Sequence, residues 1–265
     1  MSSPYELANG ASMSSAFSVI IPTADRPALL RRALDSVLGQ SLTPQQIIVV
    51  DNGYVPVERF GDMPDFVEFV RTLPRIGPGR SRNIGAQHAG AEFLAFLDDD
   101  DIWDVGYLAA MQQSCERAKA KALVGRLMRS PDGKGVRREY KLFPSRPEEQ
   151  RAIYFRNPGF GGQNIVIKRR LFLEVGGFDE TMPASVDRDL AARLLDAGVD
   201  VAVVPEAIAV LCDHGGERVR ASQVRGNWMF IRKHWRKMKI GELAKALGTF
   251  GKRWLSVRVL RRASV

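Results

Sequence analysis

Residues 93–101 read Phe-Leu-Ala-Phe-Leu-Asp-Asp-Asp-Asp, an apolar run followed directly by four aspartates. A short apolar run of this kind is typical of a strand that is buried on both faces of a sheet. In an open parallel sheet, ligands bind beyond the carboxyl ends of the strands. The stretch therefore predicts a strand over 93–97 that delivers Asp98–Asp101 to a ligand site.

Similar strands alternate with helical segments along the rest of the chain. We predict strands at 17–21, 47–50, 67–72, 123–127, 164–167 and 200–205, and helices at 27–38, 79–89, 105–121, 168–175 and 187–197. Pro27 lies in the first turn of its helix, with an Asp or Thr as the expected cap. This alternation predicts an α/β fold with a mainly parallel sheet and helices on both faces.

The domain organisation is simple. The polar segment 1–16 is interpreted as a disordered leader, 17–225 as one domain and 226–265 as a basic amphipathic helical tail. Residues 133–147 are rich in turn formers and charges, which favours a loop or a hairpin. The chain shows no internal repeat and no low-complexity linker that would divide the domain.

The bulk composition restricts the class of protein. The 265 residues are 45% hydrophobic and 26% charged, as in ordinary globular proteins. No apolar stretch approaches the roughly 18 residues that a spanning helix needs. The two cysteines, Cys115 and Cys212, form neither a disulfide framework nor a metal motif. These features lead us to expect a reducing, cytoplasmic location.

The net charge of +9 is concentrated in the tail. Residues 218–265 hold 14 of the 39 Lys and Arg but only one of the 30 acids, Glu242, so the preceding part is mildly acidic. A nucleic-acid enzyme more often carries positive charge around its active site. We therefore expect no nucleic-acid partner.

The four aspartates favour a metal site. Adjacent carboxylates repel one another, and burying them without a partner costs free energy. Mg²⁺ or Mn²⁺ binds one or two carboxylates and completes its shell with water and phosphate oxygens. The alternative is that the acids cap a helix beginning at Ile102–Trp103, where a helix N-terminus favours negative charge.

Six motifs in this order resemble the family 2 glycosyltransferases, over about residues 17–216. The motifs are Phe17-Ser-Val-Ile-Ile-Pro-Thr23, Ile47-Ile-Val-Val-Asp-Asn-Gly53, Arg82-Asn-Ile-Gly85, Phe96-Leu-Asp-Asp-Asp-Asp101, Gly176-Gly-Phe-Asp-Glu180 and Asp187-Arg-Asp-Leu190. The resemblance implies a single domain of the Rossmann-like GT-A fold, a nucleotide-diphospho-sugar donor, a divalent metal such as Mn²⁺ or Mg²⁺, and inversion at the anomeric carbon.

The resemblance also implies a set of site residues. Asp98 and Asp100 match the outer positions of the Asp-x-Asp motif and would bind metal, together with His214. Asp187 resembles the general base. Donor-binding residues by position are Pro22, Thr23, Arg26, Asp51, Arg82, Asp98, Asp99 and Gly162. Asp99 and Asp101 would chiefly tune the charge or cap the helix at Ile102.

The chemistry of the reaction asks for the same groups. Displacement at an anomeric carbon needs a base within reach of the acceptor hydroxyl and positive charge at the departing diphosphate. Other roles stay open: Asp187 as a helix cap, His214 as a surface residue and Trp103 as a core residue. The sequence departs from the family pattern at Val186, where an acid usually precedes Asp187.

The tail carries aromatic and cationic side chains at helical spacing, including Trp228, Trp235 and Trp254. A basic amphipathic helix of this kind is typical of elements that bind anionic membrane surfaces. The alternative is a helix packed on the domain. We expect a saccharide, lipid-linked or other hydroxyl acceptor, used in cell-surface glycan or glycoconjugate synthesis, and a peripheral place at the inner membrane face.

Other functions fit the sequence less well. A sugar-nucleotide nucleotidyltransferase would need a Gly-rich basic loop after the first strand, where this chain has Pro22–Pro27. A dinucleotide oxidoreductase would need a G-x-G-x-x-G motif after a strand. A non-catalytic basic adaptor with a decayed site is favoured only by Val186.

Overall fold

The sheet holds nine strands in the part of the chain that the computed structural model describes, which is residues 16–61, 63–131, 135–212 and 220–263. The strands are β1 (Phe17–Thr23), β2 (Gln46–Asp51), β3 (Val67–Arg71), β4 (Phe93–Phe96), β5 (Ile102–Trp103), β6 (Ala122–Ser130), β7 (Arg138–Lys141), β8 (Ile165–Lys168) and β9 (Val201–Cys212). The predicted leader, apart from residue 16, and His214 lie outside the described residues.

The helices connect the strands much as the sequence predicts. They are α1 (Pro27–Leu38), α2 (Pro78–His88), α3 (Tyr107–Ala118), α4 (Pro147–Gln150), α5 (Arg169–Glu174), α6 (Val186–Asp196), α7 (Arg220–His234) and α8 (Ile240–Ala263). Short 3-10 turns follow α4 and α7. Among the described helices, none is long and apolar enough to cross a membrane.

The strand order β3-β2-β1-β4-β8-β6-β9-β5, with β7 beside β6, combines two regions. In the first, β3, β2, β1 and β4 are parallel, as predicted. In the second, β8 runs antiparallel to both β4 and β6, while β6 and β9 form a long parallel ladder. The sheet is thus mainly parallel, and the carboxyl ends of β1, β2 and β4 meet at one edge.

The central strands of the sheet are buried on both faces because they are largely apolar. Every residue of β1 and of β4 is buried, and two apolar clusters cover the two faces. One cluster includes Ile20 and Phe96 and the other includes Val19 and Leu97. Alternate residues of one strand thus enter opposite cores, as strand geometry requires. This packing fixes where each strand ends and hence where the following polar residues lie.

One predicted helix start and one predicted helix cap are wrong. Residues 102–103 form the short strand β5, which pairs with β9, so Asp99 and Asp101 cap no helix there. The indole of Trp103 is 3% exposed and stacks on Tyr107 at 4.2 Å, so Trp103 is a core residue. Helix α1 does begin at Pro27, but Arg26 precedes it and supplies no side-chain cap. The expected Asp or Thr cap is absent from this helix.

The first half of the tail packs on the domain. Phe230, Ile231 and His234 on α7 are buried, and Gly226 lies where a Cβ would be 2.5 Å from the Ala184 carbonyl oxygen. Helix α7 begins at 220, so the boundary predicted at 225/226 falls inside it. Helix α8 is tied to the domain by Glu242, which pairs with Arg151 at 2.7 Å.

Candidate functional site

The carboxyl end of β1 is joined to the aspartate run that follows β4. Thr23 is buried at the last position of β1, and its hydroxyl donates to the Asp99 carboxylate at 2.7 Å. Arg26 binds the same carboxylate at 2.5 Å and Asp100 at 3.0 Å. Burial raises the pKa of Asp99 to about 6, although Arg26 and Thr23 oppose the rise. Thr23 and Arg26 therefore hold the run in place beside β1.

Arg82 occupies the centre of the site. It is a buried residue on α2, its guanidinium donates to Asp98, and it lies over the Phe178 ring at 5.3 Å. A Cβ on Gly162 would lie 2.5 Å from the Arg82 Nη2 atom, so the absence of a side chain at this position makes room for the guanidinium. The buried Nε of Arg82 has no hydrogen-bond partner among the described residues.

Three of the four aspartates form a compact group. Asp98, Asp100 and Asp101 each place a carboxylate oxygen within 4.8 Å of the others, a donor set that fits a hard divalent cation. Asp101 also accepts a hydrogen bond from the Cys212 backbone N–H at 3.0 Å. Asp101 thus joins Asp98 and Asp100 in this group, whereas the predicted metal ligands were Asp98, Asp100 and His214.

The charge of the aspartate run is also compensated by protein groups. Arg26 pairs with Asp99 and Asp100, and Arg82 pairs with Asp98. These two guanidinium groups, which come from distant parts of the chain, supply positive counter-charge. Repulsion among the four carboxylates therefore does not by itself require a metal ion. The feature that fits a metal is the grouping of three carboxylate oxygens.

A cavity of about 430 Å³ lies at this edge of the sheet. Of the predicted donor residues it is lined by Pro22, Thr23, Arg26, Arg82, Asp98 and Asp99, together with the predicted metal ligand Asp100. Asn52 and Arg75, which were not among the predicted donor residues, also line it. Arg75 pairs with Asp25 at 2.7 Å and lies over the Tyr54 ring at 5.3 Å. Tyr54 is thus a neighbour of the cavity wall.

Asp51 lies behind this cavity and is not part of its lining. Its carboxylate accepts hydrogen bonds from the backbone N–H groups of Gly53 and Val57, at 2.9 and 2.8 Å, and pairs with Arg71 at 2.5 Å. Asp51 is 3% exposed. These contacts make Asp51 the organiser of the loop that follows β2.

Asp187 lies near enough to Arg82 and Asp98 for both charges to act on it. It is the second residue of α6, which begins at Val186 after Ser185, so Asp187 is not the helix cap. Asn157 donates to its carboxylate at 3.3 Å. Burial raises the pKa of Asp187 above its ordinary value, the positive charge of Arg82 lowers it, and Asp98 raises it. The charges of both Arg82 and Asp98 thus act on the pKa of Asp187.

A second cavity of about 520 Å³ opens on the far side of Asp187. Its wall includes Gly161 and Asp187, and residues of α7 and α8 complete it. Two hydrogen bonds hold the loop that contains Gly161 and Gly162. The Trp103 indole donates to the Gln163 carbonyl at 2.8 Å, and the Asn164 side-chain oxygen accepts from the Gly161 N–H at 2.8 Å. The predicted base therefore faces a space separate from the acidic cavity.

Known sequences and structures match this chain. The sequence model described as Glycosyl transferase family 2 matches residues 18–176, and one described as Glycosyltransferase like family 2 matches 150–224. The chain resembles the crystal structure of S. aureus TarS 1–349 in complex with UDP-GlcNAc with a TM-score of 0.65 and 17% identity, covering 91% of this chain and 72% of that one. This likeness confirms the predicted GT-A fold.

Several curated proteins are related over part of their length. An uncharacterized glycosyltransferase of Haemophilus influenzae is 28% identical, over 67% of this chain and 61% of that protein. The pre-mycofactocin glycosyltransferase of Mycobacterium tuberculosis is 29% identical, over 74% and 42% respectively. A GalNAc(5)-diNAcBac-PP-undecaprenol beta-1,3-glucosyltransferase of Campylobacter jejuni is 29% identical, over 47% and 45%.

The chain thus spans less than two thirds of the length of these relatives. The first family model nevertheless covers more than half of this chain, and its range includes every residue of the Thr23–Arg26–Arg82–Asp98 network. The ordered motifs, the fold and the sequence matches agree. The protein is a member of glycosyl transferase family 2.

Proposed function

We propose that the protein transfers a sugar from a nucleotide-diphospho-sugar to an acceptor hydroxyl, with inversion at the anomeric carbon. The observation that carries the proposal is the central position of Arg82, which pairs with the acidic cluster through Asp98 and acts electrostatically on Asp187. Donor and acceptor would then meet at Arg82, with the leaving group on one side and the base on the other.

The donor belongs in the cavity of about 430 Å³. Arg26, Arg75 and Arg82 bring guanidinium groups to its wall, and guanidinium is well matched to phosphate oxygens. The buried Nε of Arg82 has no hydrogen-bond partner among the described residues, and such an oxygen would supply one. Asn52 and the loop around Arg75 would face the nucleoside, and the solved relative TarS, which binds UDP-GlcNAc, supports a donor of this class.

The metal belongs at Asp98, Asp100 and Asp101, whose oxygens are close enough to share one ion. A divalent cation held there would supply charge stabilisation for the departing diphosphate. Arg26 would move part of its contact from Asp100 to a phosphate oxygen, since its side chain is 41% exposed and free to adjust. His214 remains a further candidate ligand.

Asp187 is the proposed base. As a carboxylate it would accept the proton of the acceptor hydroxyl while the oxygen attacks the anomeric carbon. Burial favours this role, because a raised pKa makes the carboxylate a stronger proton acceptor. Asn157, which donates to Asp187, would hold the carboxylate in position.

The acceptor is proposed to be a saccharide or lipid-linked molecule, used in glycoconjugate synthesis, and the tail is proposed to meet an anionic membrane surface. Trp228, Trp235 and Trp254 are 46%, 48% and 38% exposed, and Leu255 is 56% exposed. Exposed indoles beside many cations suit the interface of an anionic leaflet. We propose that this surface holds the enzyme at the inner membrane face.

A thermal-shift screen of UDP-, GDP- and dTDP-sugars, each with Mn²⁺ and with EDTA, tests the donor proposal. A ligand that binds only the folded state raises the melting temperature with the logarithm of its saturation. We expect at least one nucleotide-sugar to raise it in the presence of Mn²⁺. No shift with any donor would contradict the proposal.

A further inference from the structure

The second cavity carries unbalanced positive charge. Four cationic side chains line it, and Asp187 is its single acidic lining residue among the described part of the chain. The cations are Lys141, Arg156, Arg188 and Arg253. In the first cavity, by contrast, Arg26, Arg75 and Arg82 each pair with an aspartate. The two cavities are therefore built for different charge partners.

Arg188 is the buried member of this set, with 6% of its surface exposed. Its guanidinium donates to the carbonyl oxygens of Ile153 and Tyr154, both at 2.6 Å, and to the Asn227 side chain at 3.2 Å. All three acceptors are neutral. The guanidinium carbon also lies 3.8 Å from the centroid of the Phe230 ring, so the side chain packs on α7.

The electrostatics of Arg188 agree with this geometry. Burial and the nearby Arg253 lower the pKa of Arg188 to about 10, so the side chain stays charged near neutral pH. A buried cation without an ion-pair partner costs free energy unless a counter-charge is supplied. A bound anion in the cavity would lower that cost.

The other cations surround the same space from different elements. Lys141 on β7 donates to the Asn157 carbonyl at 3.0 Å, Arg156 is exposed beside Phe155, and Arg253 is exposed on α8. None of these three forms an ion pair with a residue that the structure describes. Their convergence from three elements marks a cavity and not a single charged helix face.

We propose that this cavity binds an acceptor that carries a phosphate or diphosphate group close to its accepting hydroxyl. The inference rests on the proposed function, which places the acceptor next to Asp187. Phosphate oxygens accept several charge-assisted hydrogen bonds at once, and guanidinium and ammonium groups on three sides of the cavity can donate them. Tyr140 and Phe155 supply aromatic surface for the uncharged part of the acceptor.

Helix α8 connects this cavity with the exposed apolar surface. Thr249 and Arg253 line the cavity, while the neighbouring Trp254 and Leu255 are exposed. A phosphate that links a sugar to a lipid would thus find cations in the cavity and apolar side chains nearby on the same helix. A free sugar phosphate would use the cations alone.

The test measures equilibrium binding of farnesyl diphosphate, farnesol and inorganic pyrophosphate to the full chain in EDTA. The variant is R156A/R253A, because both side chains are exposed and their loss should leave the fold intact. The matched control is R117A/K121A, which removes two exposed cations outside the cavity. Binding of a nucleotide-sugar with Mn²⁺ is measured on each protein as an independent readout of the donor site.

We expect farnesyl diphosphate to bind the wild type, and R156A/R253A to weaken it at least about tenfold, the loss expected for one charge-assisted hydrogen bond. The control should change binding less than about twofold. Tighter binding of farnesyl diphosphate than of pyrophosphate assigns a lipid-linked phosphate, and equal binding assigns the phosphate group alone.

Farnesol binding as tightly as farnesyl diphosphate would overturn the proposal. So would equal affinities of the wild type and R156A/R253A, or pyrophosphate binding that Arg26→Ala abolishes and R156A/R253A leaves unchanged. A wild-type protein that binds no nucleotide-sugar in the presence of Mn²⁺ would instead contradict the proposed function. The two failures are therefore distinguishable.

Discussion

Gly162 and Arg82 are packed so closely that a Cβ on Gly162 would lie 2.5 Å from the Arg82 Nη2 atom. The glycine belongs to the loop beside the second cavity, and the arginine lines the first cavity and pairs with Asp98. The loop beside the second cavity thus packs against a charged group of the first cavity. The position of Arg82 depends on the absence of a side chain at 162.

Gly162→Ala should displace Arg82 from Asp98, because the Phe178 ring and the buried surroundings leave the guanidinium little room. We expect nucleotide-sugar affinity to fall about tenfold or more, the equivalent of one lost charge-assisted hydrogen bond. Titration calorimetry measures the effect. Gly90→Ala is the control, since a Cβ there meets nothing within 4 Å. Unchanged affinity in Gly162→Ala would refute the wall role.

Asp187→Asn should keep nucleotide-sugar binding and lose turnover by roughly 10²- to 10⁴-fold, the usual contribution of a general base. In the wild type, turnover should fall as the pH drops through the pKa of Asp187, because the base acts as a carboxylate. Burial raises that pKa, so the fall should begin above the range of an ordinary aspartate. A pH–rate profile of sugar transfer checks this limb, and wild-type turnover in Asp187→Asn would exclude the base role.

Asp189→Asn should lower the free energy of unfolding by about 3 kcal/mol, as expected when one member of a buried charge network is removed. Asp189 is fully buried and binds His234 at 2.8 Å, Lys233 at 2.9 Å and Arg193 at 2.8 Å. Urea unfolding at pH 7 measures the difference. Asp35→Asn, in an exposed pair with Arg31, should cost less than about 1 kcal/mol.

The effect of Asp189 should also depend on pH. Burial raises its pKa, but the hydrogen bonds from His234 and Lys233 and the charge of Arg193 hold that pKa well below its usual range. A depressed pKa adds stability that is present above the unfolded value of about 3.9 and is lost as the pH falls towards the folded value. The gap between wild type and Asp189→Asn should therefore shrink below about pH 4. A constant gap down to pH 2 would contradict this account.

Trp254→Ser with Leu255→Ser should weaken binding to vesicles of anionic lipid without unfolding the protein. Both side chains are exposed on α8 and lie on the surface proposed to meet the membrane. Cosedimentation with vesicles of phosphatidylserine and phosphatidylcholine measures binding. Leu73→Ser, 73% exposed outside the tail, is the matched control. Equal binding of wild type and the double variant would refute the membrane role.

Most of the fold could be predicted from the pattern of strands, because β1, β2 and β4 are buried on both faces and appear in the sequence as largely apolar runs. The same pattern placed Thr23 and Asp98 at one sheet edge. It did not predict the strand β5 at Ile102–Trp103, where a helix start was expected. Two residues are too few to show the period of a strand, and the pairing with β9 is a tertiary contact.

The charge partners of the site could not be predicted, because they join residues far apart in sequence. Arg26 meets Asp99, and Asp51 turns to Arg71 instead of the cavity. Arg75 lines the cavity from a loop whose sequence carries no motif that would predict this position. The tail was ambiguous for a related reason: Phe230 faces the core and Trp228 faces solvent, although both are aromatic residues of one helix.

The most direct test of the account is donor binding to the wild type and to Asp100→Ala, measured by titration calorimetry with Mn²⁺ and with EDTA. Asp100 belongs to the acidic group and contacts Arg26. The account predicts tight, Mn²⁺-dependent binding of a nucleotide-sugar to the wild type and loss of the Mn²⁺ effect in Asp100→Ala. Equal binding by the two proteins, or binding that EDTA leaves unchanged, would contradict it.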